Sequence, residues 1–399
     1  MTETEKWMAR AGRSLANTYA RFPVVLERGE GCRVWDVEGK AYLDFVAGIA
    51  VCALGHCHPA IVQAIRDQAA KLLHVSNLYY IGPQIRLAEI LCQHSFADRV
   101  FFCNSGAEAN EAAIKLGRKY AKEHDSSERV EIITMERGFH GRTLATVTAT
   151  AQAKYQKGFE PLLPGFRYVP FDDLGAVERA LGPRTAAVLV EPIQGEGGVR
   201  VPSDGYLPGL RKLCDDTGAL LIFDEVQTGI GRTGKLFAYE HWGVEPDIMT
   251  LAKALGGGLP IGAMLATERV AASFTPGTHA ATFGGSPFVT AAALASLTTI
   301  IEQDLVSRAA EMGERLRSAL RALQEAHHPV QVIRGRGLLM GMELDREVRP
   351  VLTGCLEQGL LVSSAGEHVI RFAPPLIVSE EEVTRAVGIL DTVLQEVTG

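Results

Sequence analysis

The sequence predicts an α/β fold: a large central domain on a mostly parallel sheet, with both chain ends meeting in a smaller α+β domain. Three observations carry this expectation. From about Asn104 onward, short apolar runs alternate with amphipathic stretches of helical period. The runs are continuous and rich in β-branched residues, the pattern of strands covered on both faces. Glycine, at 41 of 399 residues, is above average, as suits a chain with many tight loops.

The N-terminal segment reads as a helix followed by short strands. The run VVLERGEGCRVWDVEGKAYLDF alternates and turns at Gly29-Glu30-Gly31 and at Glu38-Gly39, a hairpin pattern. A strand, RVFFC, ends at Asn104-Ser105-Gly106 and opens onto the amphipathic helix AEANEAAIKLGRKYA. The further strand candidates are EIITM (131–135), AAVLVEP (186–192), ALLIFDE (219–225) and DIMTLAK (247–253). Helices follow from Pro287 to Gln303 and from Leu305 to Ala326. The tail returns to mixed structure with VIRGRGLLMGMEL, LLVSSAGEHVIRFAPP and a final helix from Ser379. No repeat or low-complexity linker interrupts the chain. The expected division is 1–49 and 304–399 for the two parts of the small domain and 50–303 for the large one.

At 399 residues the chain is long enough to bury a sizeable core without staples. Hydrophobic residues at 47% and charged residues at 22% exclude general disorder. A net charge of −7 makes nucleic acid and anionic membrane poor bulk partners. Seven cysteines, an odd number, read as reduced thiols. The start, MTETEKWMARAGRSLA, shows no apolar secretory core, and Phe288 to Ile301 is too short and too hydroxylated for a span. A cytoplasmic location is expected.

Two motifs are set aside on chemical grounds. Gly229 to Gly234 fits G-x-G-x-x-G and, with Lys235, nearly fits a P-loop. Leu236 cannot supply the hydroxyl for Mg²⁺, and Asp224 and Glu225 would repel a pyrophosphate. Cys52, His56, Cys57 and His58 match no common zinc spacing, so helix capping and loop packing around Gly55 and Pro59 are expected instead, and no metal site.

The chemistry is expected at strand ends. Ser105 is a good N-cap with Glu108 three residues on, and Gly106 and Ala107 are too small to shield their backbone N–H groups from an anion. By itself this segment is also simply a well-capped helix. Asp224 ends an apolar strand, where α/β folds bind ligands, though a metal ligand or helix cap reads the same way. Lys253, before three glycines, needs either a salt bridge or covalent use to offset desolvation. Together, an anion cradle, a buried acid and a buried lysine are what pyridoxal 5'-phosphate needs. A carboxylate ~3 Å from a protonated ring nitrogen attracts it by roughly 5 kcal/mol at an effective dielectric of ~20.

These residues resemble the class III pyridoxal-phosphate aminotransferases, nearest the acetylornithine branch, almost end to end. The match runs through ALGHCHP, NSGAEANEAAIKLGRK, FHGRTLAT, EPIQGEGGV, LLIFDEVQTGIGRTG, LAKALGGGLPIGA and TFGGSP to IRFAPPL. The resemblance implies fold type I with a seven-stranded sheet. It also implies a homodimer with shared active sites, and transfer of the δ-amino group of N²-acetylornithine to 2-oxoglutarate in ping-pong fashion. Other ω-amino donors (ornithine, 4-aminobutyrate or a succinylated amine) are the alternative within the class; nucleotide binding at Gly229 to Lys235 is the alternative outside it.

Residue roles follow from the same resemblance. Lys253 would form the Schiff base and Asp224 would bind the ring nitrogen, with Glu225, Val226 and Gln227 beside the cofactor. Ser105, Gly106 and Ala107 would bind its phosphate, Thr282 the phosphate in the neighbouring subunit, and Phe139 would stack on the ring. Arg142 would bind the distal carboxylate of either substrate and Arg371 the proximal carboxylate of glutamate. Glu196 would pair with Arg371 whenever that carboxylate is missing, because an unpaired Arg371 beside bare methylenes would cost several kcal/mol. Ala281 stands where the family usually has serine, and Cys52 where asparagine is frequent.

Overall fold

The computed structural model describes residues 1–398. Its centre is a seven-stranded sheet: β1 (Arg99–Cys103), β2 (Glu131–Met135), β3 (Phe166–Val169), β4 (Thr185–Val190), β5 (Leu220–Asp224), β6 (Ile248–Leu251) and β7 (Gly262–Ala266). The order across the sheet is β1-β7-β6-β5-β4-β2-β3. Only β7 runs against its neighbours. Residues 252–261 are all that join β6 to β7, fewer than a parallel crossover needs, so β7 must come back antiparallel.

Both faces of the sheet are covered. Leu221 and Phe223 of β5 join one apolar cluster, while Leu220 and Ile222 join another that includes Ala112 and Leu116 of the helix Gly106–His124. That double burial explains why the strand sequences are continuously apolar. β3 and β7 are not evident in the sequence. β3 is a partly exposed edge strand, and β7 (GAMLA) is built from residues of low strand propensity.

The chain ends build two further four-stranded sheets. In one, Leu360–Leu361 pairs in parallel with Ala41–Asp44, so residues from the N- and C-terminal segments share a single ladder. The other joins Val330–Arg336, Leu339–Leu344, Val369–Phe372 and Ser363–Ser364. The helices Pro287–Glu302 and Leu305–Ala326 stand where the sequence puts them, bent by 68° at a break where Asp304 is left-handed. Among the described residues no single helix is long and apolar enough to cross a membrane.

One strand end departs from expectation. β6 stops at Leu251, and Lys253, at φ 44°, opens a 3₁₀ turn, Lys253–Gly256. The left-handed step takes the lysine out of the sheet ladder.

Candidate active site

The carboxyl ends of β1, β2, β4, β5 and β6 lie on one side of the sheet and surround a cavity of about 480 Å³. Ser105, Gly106, Ala107, Phe139, Arg142, Glu196, Asp224, Val226, Gln227 and Lys253 all line it.

The cradle is built as the sequence suggests, with one difference. Ser105 Oγ accepts from Glu108 N at 3.1 Å, but the Glu108 carboxylate reaches back to Asn104 N at 2.5 Å rather than to the cap residue. Small residues are obligatory here. A Cβ on Gly106 would lie 2.8 Å from Val226 Cγ1, and one on Gly262 would lie 2.2 Å from Ser105 O. The first turn of a long helix thus offers free N–H groups to an anion.

Asp224 is fixed from both oxygens. Oδ2 accepts from Asn110 Nδ2 and meets His140 Nδ1, each at 2.7 Å, and Oδ1 accepts from Val226 N at 3.0 Å. Asn110 is itself held by Thr250 Oγ1 at 2.8 Å. Asn110, His140 and Thr250 were not singled out in the sequence, and only the burial of polar residues around an acid reveals them. His140, Glu191 and Asp224 offer atoms within 4.8 Å of one another, a spacing a metal ion would also fit. The Asn110 amide hydrogen aimed at the same Asp224 oxygen opposes a cation there.

Glu191 is a further carboxyl in the cavity wall. Burial, then the neighbouring Asp224 charge, push it well above the usual carboxylate range, while Phe139 N and Gly195 N donate to it at 3.2 Å each. Burial also lowers the Lys253 ammonium from its ordinary value, with Glu196 the main opposing influence. A lysine so disposed carries more of the neutral, nucleophilic amine at a given pH.

Arg371, 2% exposed, forms an ion pair with Glu196 and donates to Gln227 Oε1 at 3.2 Å and Ser363 Oγ at 3.3 Å. Burial pushes the Glu196 carboxyl up, but Arg371 and then Lys253 hold it below its ordinary value. Gln227 Nε2 also donates to Glu196 Oε1 at 3.3 Å. At the other wall the Arg142 guanidinium lies 4.1 Å from the Tyr155 ring centroid and 5.5 Å from that of Phe139, and Phe139 meets Tyr155 edge-on at 5.6 Å. Arg142 is exposed, free to reach a ligand.

Two expected site residues lie outside this cavity: Glu225, against expectation, and Thr282, which is expected at the neighbouring subunit's phosphate. The Glu225 carboxylate turns away from the cavity and accepts from Ala238 N at 2.6 Å, Tyr239 N at 2.8 Å and Thr228 Oγ1 at 3.1 Å. It pins the following loop, because successive residues leaving a strand point in opposite directions. Thr282 is exposed and lines a different cavity, beside Asn77 and Gln84. The Gly229 to Lys235 segment is a mostly buried turn with no helix to follow but the 3₁₀ turn Ala238–His241, so it lacks the anion-binding architecture of a nucleotide loop. His58 caps the helix Pro59–Ala69 through Nδ1, and His56 pairs with Asp44 at 2.7 Å, as packing rather than metal ligation requires.

A family model described as aminotransferase class-III matches residues 14–394. The chain belongs to the class-III aminotransferase family. Class-III aminotransferases act on small amino acids and 2-oxo acids through pyridoxal 5'-phosphate, and so does this enzyme. The chain is 54% identical over 396 residues to the acetylornithine aminotransferase of a Nostoc species, covering 96% of this chain and 92% of the relative. Among solved structures, the ornithine aminotransferase of Toxoplasma gondii superimposes with a TM-score of 0.97 at 36% identity, covering 100% and 96% of the two chains. The acetylornithine aminotransferase of Elizabethkingia anophelis gives 0.89 at 36% identity, covering 99% and 100%. The donor set fits the cofactor: an open helix N-terminus for a phosphate, a doubly anchored carboxylate, and a lysine facing the same cavity.

Proposed function

We propose that this enzyme transfers the δ-amino group of N²-acetylornithine to 2-oxoglutarate, in the cytoplasm, as a homodimer. The observation that carries this reading is the Arg371–Glu196 pair at the cavity that also holds Lys253. Such a pair serves two substrates of unlike charge. With an acyl-ornithine, whose reacting carbon bears no carboxylate, Glu196 stays on Arg371; with glutamate, the substrate carboxylate takes its place. Relatives named acetylornithine aminotransferase at about half identity over nearly the whole chain support the donor.

The cofactor, when bound, draws electrons from the bond that breaks at the substrate carbon. Lys253 would hold it covalently; once the incoming amine has displaced its Nζ, that free amine would take the proton from the substrate carbon and return it on the cofactor side of the shared nitrogen. Asp224 would keep a proton on the ring nitrogen, oriented by Asn110 and His140. The N–H groups of Gly106 and Ala107, with Ser105, would bind the phosphate, Val226 and Phe139 would close the ring's two faces, and Gln227 would sit near the ring hydroxyl. Arg142 would take the distal carboxylate of both substrates. Thr282, outside its own subunit's cavity, would complete the phosphate site of the neighbour.

A panel of amino donors with 2-oxoglutarate as acceptor tests the assignment. Acetylornithine should give the highest kcat/KM. Faster turnover of free ornithine would replace this donor with the one named for the Toxoplasma structure and leave the reaction class intact. Lys253→Ala should lose the visible cofactor band and turnover together; a variant with normal transamination would end the mechanism.

A further inference from the structure

Beside the active site, two adjoining cavities of about 500 and 440 Å³ share the same three walls: Arg137, Arg200 and Arg334. The smaller one also touches Glu196, so it abuts the catalytic cavity. Among the described residues neither Arg137 nor Arg200 has a carboxylate partner. Arg334 pairs with Glu343 and donates to Gly198 O at 2.7 Å, yet its Nη2 is buried without an acceptor. Burial, then Arg137 and Arg334, lower the Arg200 guanidinium from its ordinary value, with Glu343 opposing them less strongly. Five carboxylates share the walls, and Glu196 is already paired with Arg371. Glu343 is spent on Arg334 and Asp172 on Ser203, leaving Glu136 and Glu367. Arg137 holds a left-handed backbone, φ 63°, and it packs on Gly197, whose Cβ would meet Arg137 O at 2.8 Å. A non-glycine residue in that region is strained, and strain of this kind collects at functional sites.

We propose that these three arginines form a second, non-catalytic site for a small dicarboxylate, seated against the loop that carries Glu196. Guanidinium forks match planar carboxylates in bidentate fashion, and two forks without acid partners suit an anion with two such groups. The loop gives the site a route to the gate. Gln194 and Arg200 close it with paired backbone bonds of 3.0 and 2.9 Å, and Glu196 stands at its tip. An anion on Arg200 therefore restrains the segment whose carboxylate must leave Arg371 when glutamate binds. The inference concerns binding, so it holds or fails independently of the amino donor.

Succinate, which carries no amino or oxo group to react, is the probe. The holoenzyme is titrated twice, by calorimetry for total binding and by the visible cofactor band for active-site occupancy. Calorimetry should count one succinate per subunit more than the band does. The double variant R137Q/R200Q should lose that surplus, or weaken it at least tenfold, with the spectral titration unchanged within twofold. Removing two remote surface cations, as in K71Q/K122Q, should leave the surplus in place. Absence of a surplus, its survival in R137Q/R200Q, or its loss in K71Q/K122Q would each overturn the site.

Discussion

At Arg371 and Glu196 the proposed substrate discrimination rests on a single ion pair. Arg371 is nearly inaccessible, so its charge cannot be satisfied by water, and Glu196 and the Gln227 and Ser363 oxygens supply its acceptors. Removing one partner of a buried pair costs about 3–5 kcal/mol, most of it the stranded charge. Glu196→Ala should therefore slow the half-reaction of the acylated amine at least tenfold, because its methylenes then face a bare guanidinium. The glutamate half-reaction, which brings its own carboxylate, should keep its rate within about threefold. Single-turnover absorbance traces for each half-reaction check this, and equal losses in both would reject the gate. Lys253 belongs to the same scale. Its φ of 44° costs a non-glycine residue about 1–2 kcal/mol, and that local strain points its chain into the cavity.

Among the elements, the loop after Ala41–Asp44 shows how a short segment is locked beside a site. Asp44 Oδ1 accepts from Val46 N at 2.8 Å and Ala47 N at 2.9 Å, and its other oxygen pairs with His56. His56 exchanges backbone bonds of 2.8 and 3.1 Å with Gly31, and a Cβ on Gly29 would lie 2.6 Å from His56 Cβ. The hydrogen bond that His56 makes to Asp44, then the one it makes with Cys52, raise the imidazole from 6.5 to about 10. A raised folded-state value means stabilisation that is complete below about 6.5 and lost as pH rises through about 10. His56→Ala should thus lower stability by about 1–3 kcal/mol at pH 6 and by much less above pH 10, read from denaturant midpoints across that window. A pH-independent difference would mean that packing, not charge, holds the loop. Gly29→Ala should destabilise through the His56 clash alone.

Over the whole molecule, the site is assembled from distant stretches of chain. Arg371 comes from the strand Val369–Phe372 of a terminal sheet, while Asp224 ends a strand of the central one and Glu196 and Lys253 follow others. Buried Arg232 ties the two regions by donating to Leu338 O at 3.1 Å and to Pro374 O. Thr282 extends the assembly to a second subunit in the proposed dimer. Mixing inactive Lys253→Ala and Thr282→Ala subunits gives hybrids in which one site has both native residues. Activity should return to about a quarter of wild type after subunit exchange, assuming random pairing. No recovery would reject the shared site.

The sequence by itself determined the order of elements, the positions of most strands, and the cavity-lining residues from Ser105 through Asp224 to Lys253. Those are local matters: a doubly covered strand must be continuously apolar, and a helix that cradles an anion must begin with small residues. Tertiary structure alone decided that Glu225 faces the loop instead of the cavity, and that β7 returns antiparallel. It also decided that Asn110, His140 and Thr250 brace Asp224, and that Arg137, Arg200 and Arg334 converge. Such facts depend on which way a side chain leaves a strand and on which segments meet across a hundred residues or more. Neither is written in the spacing of residue types along the chain.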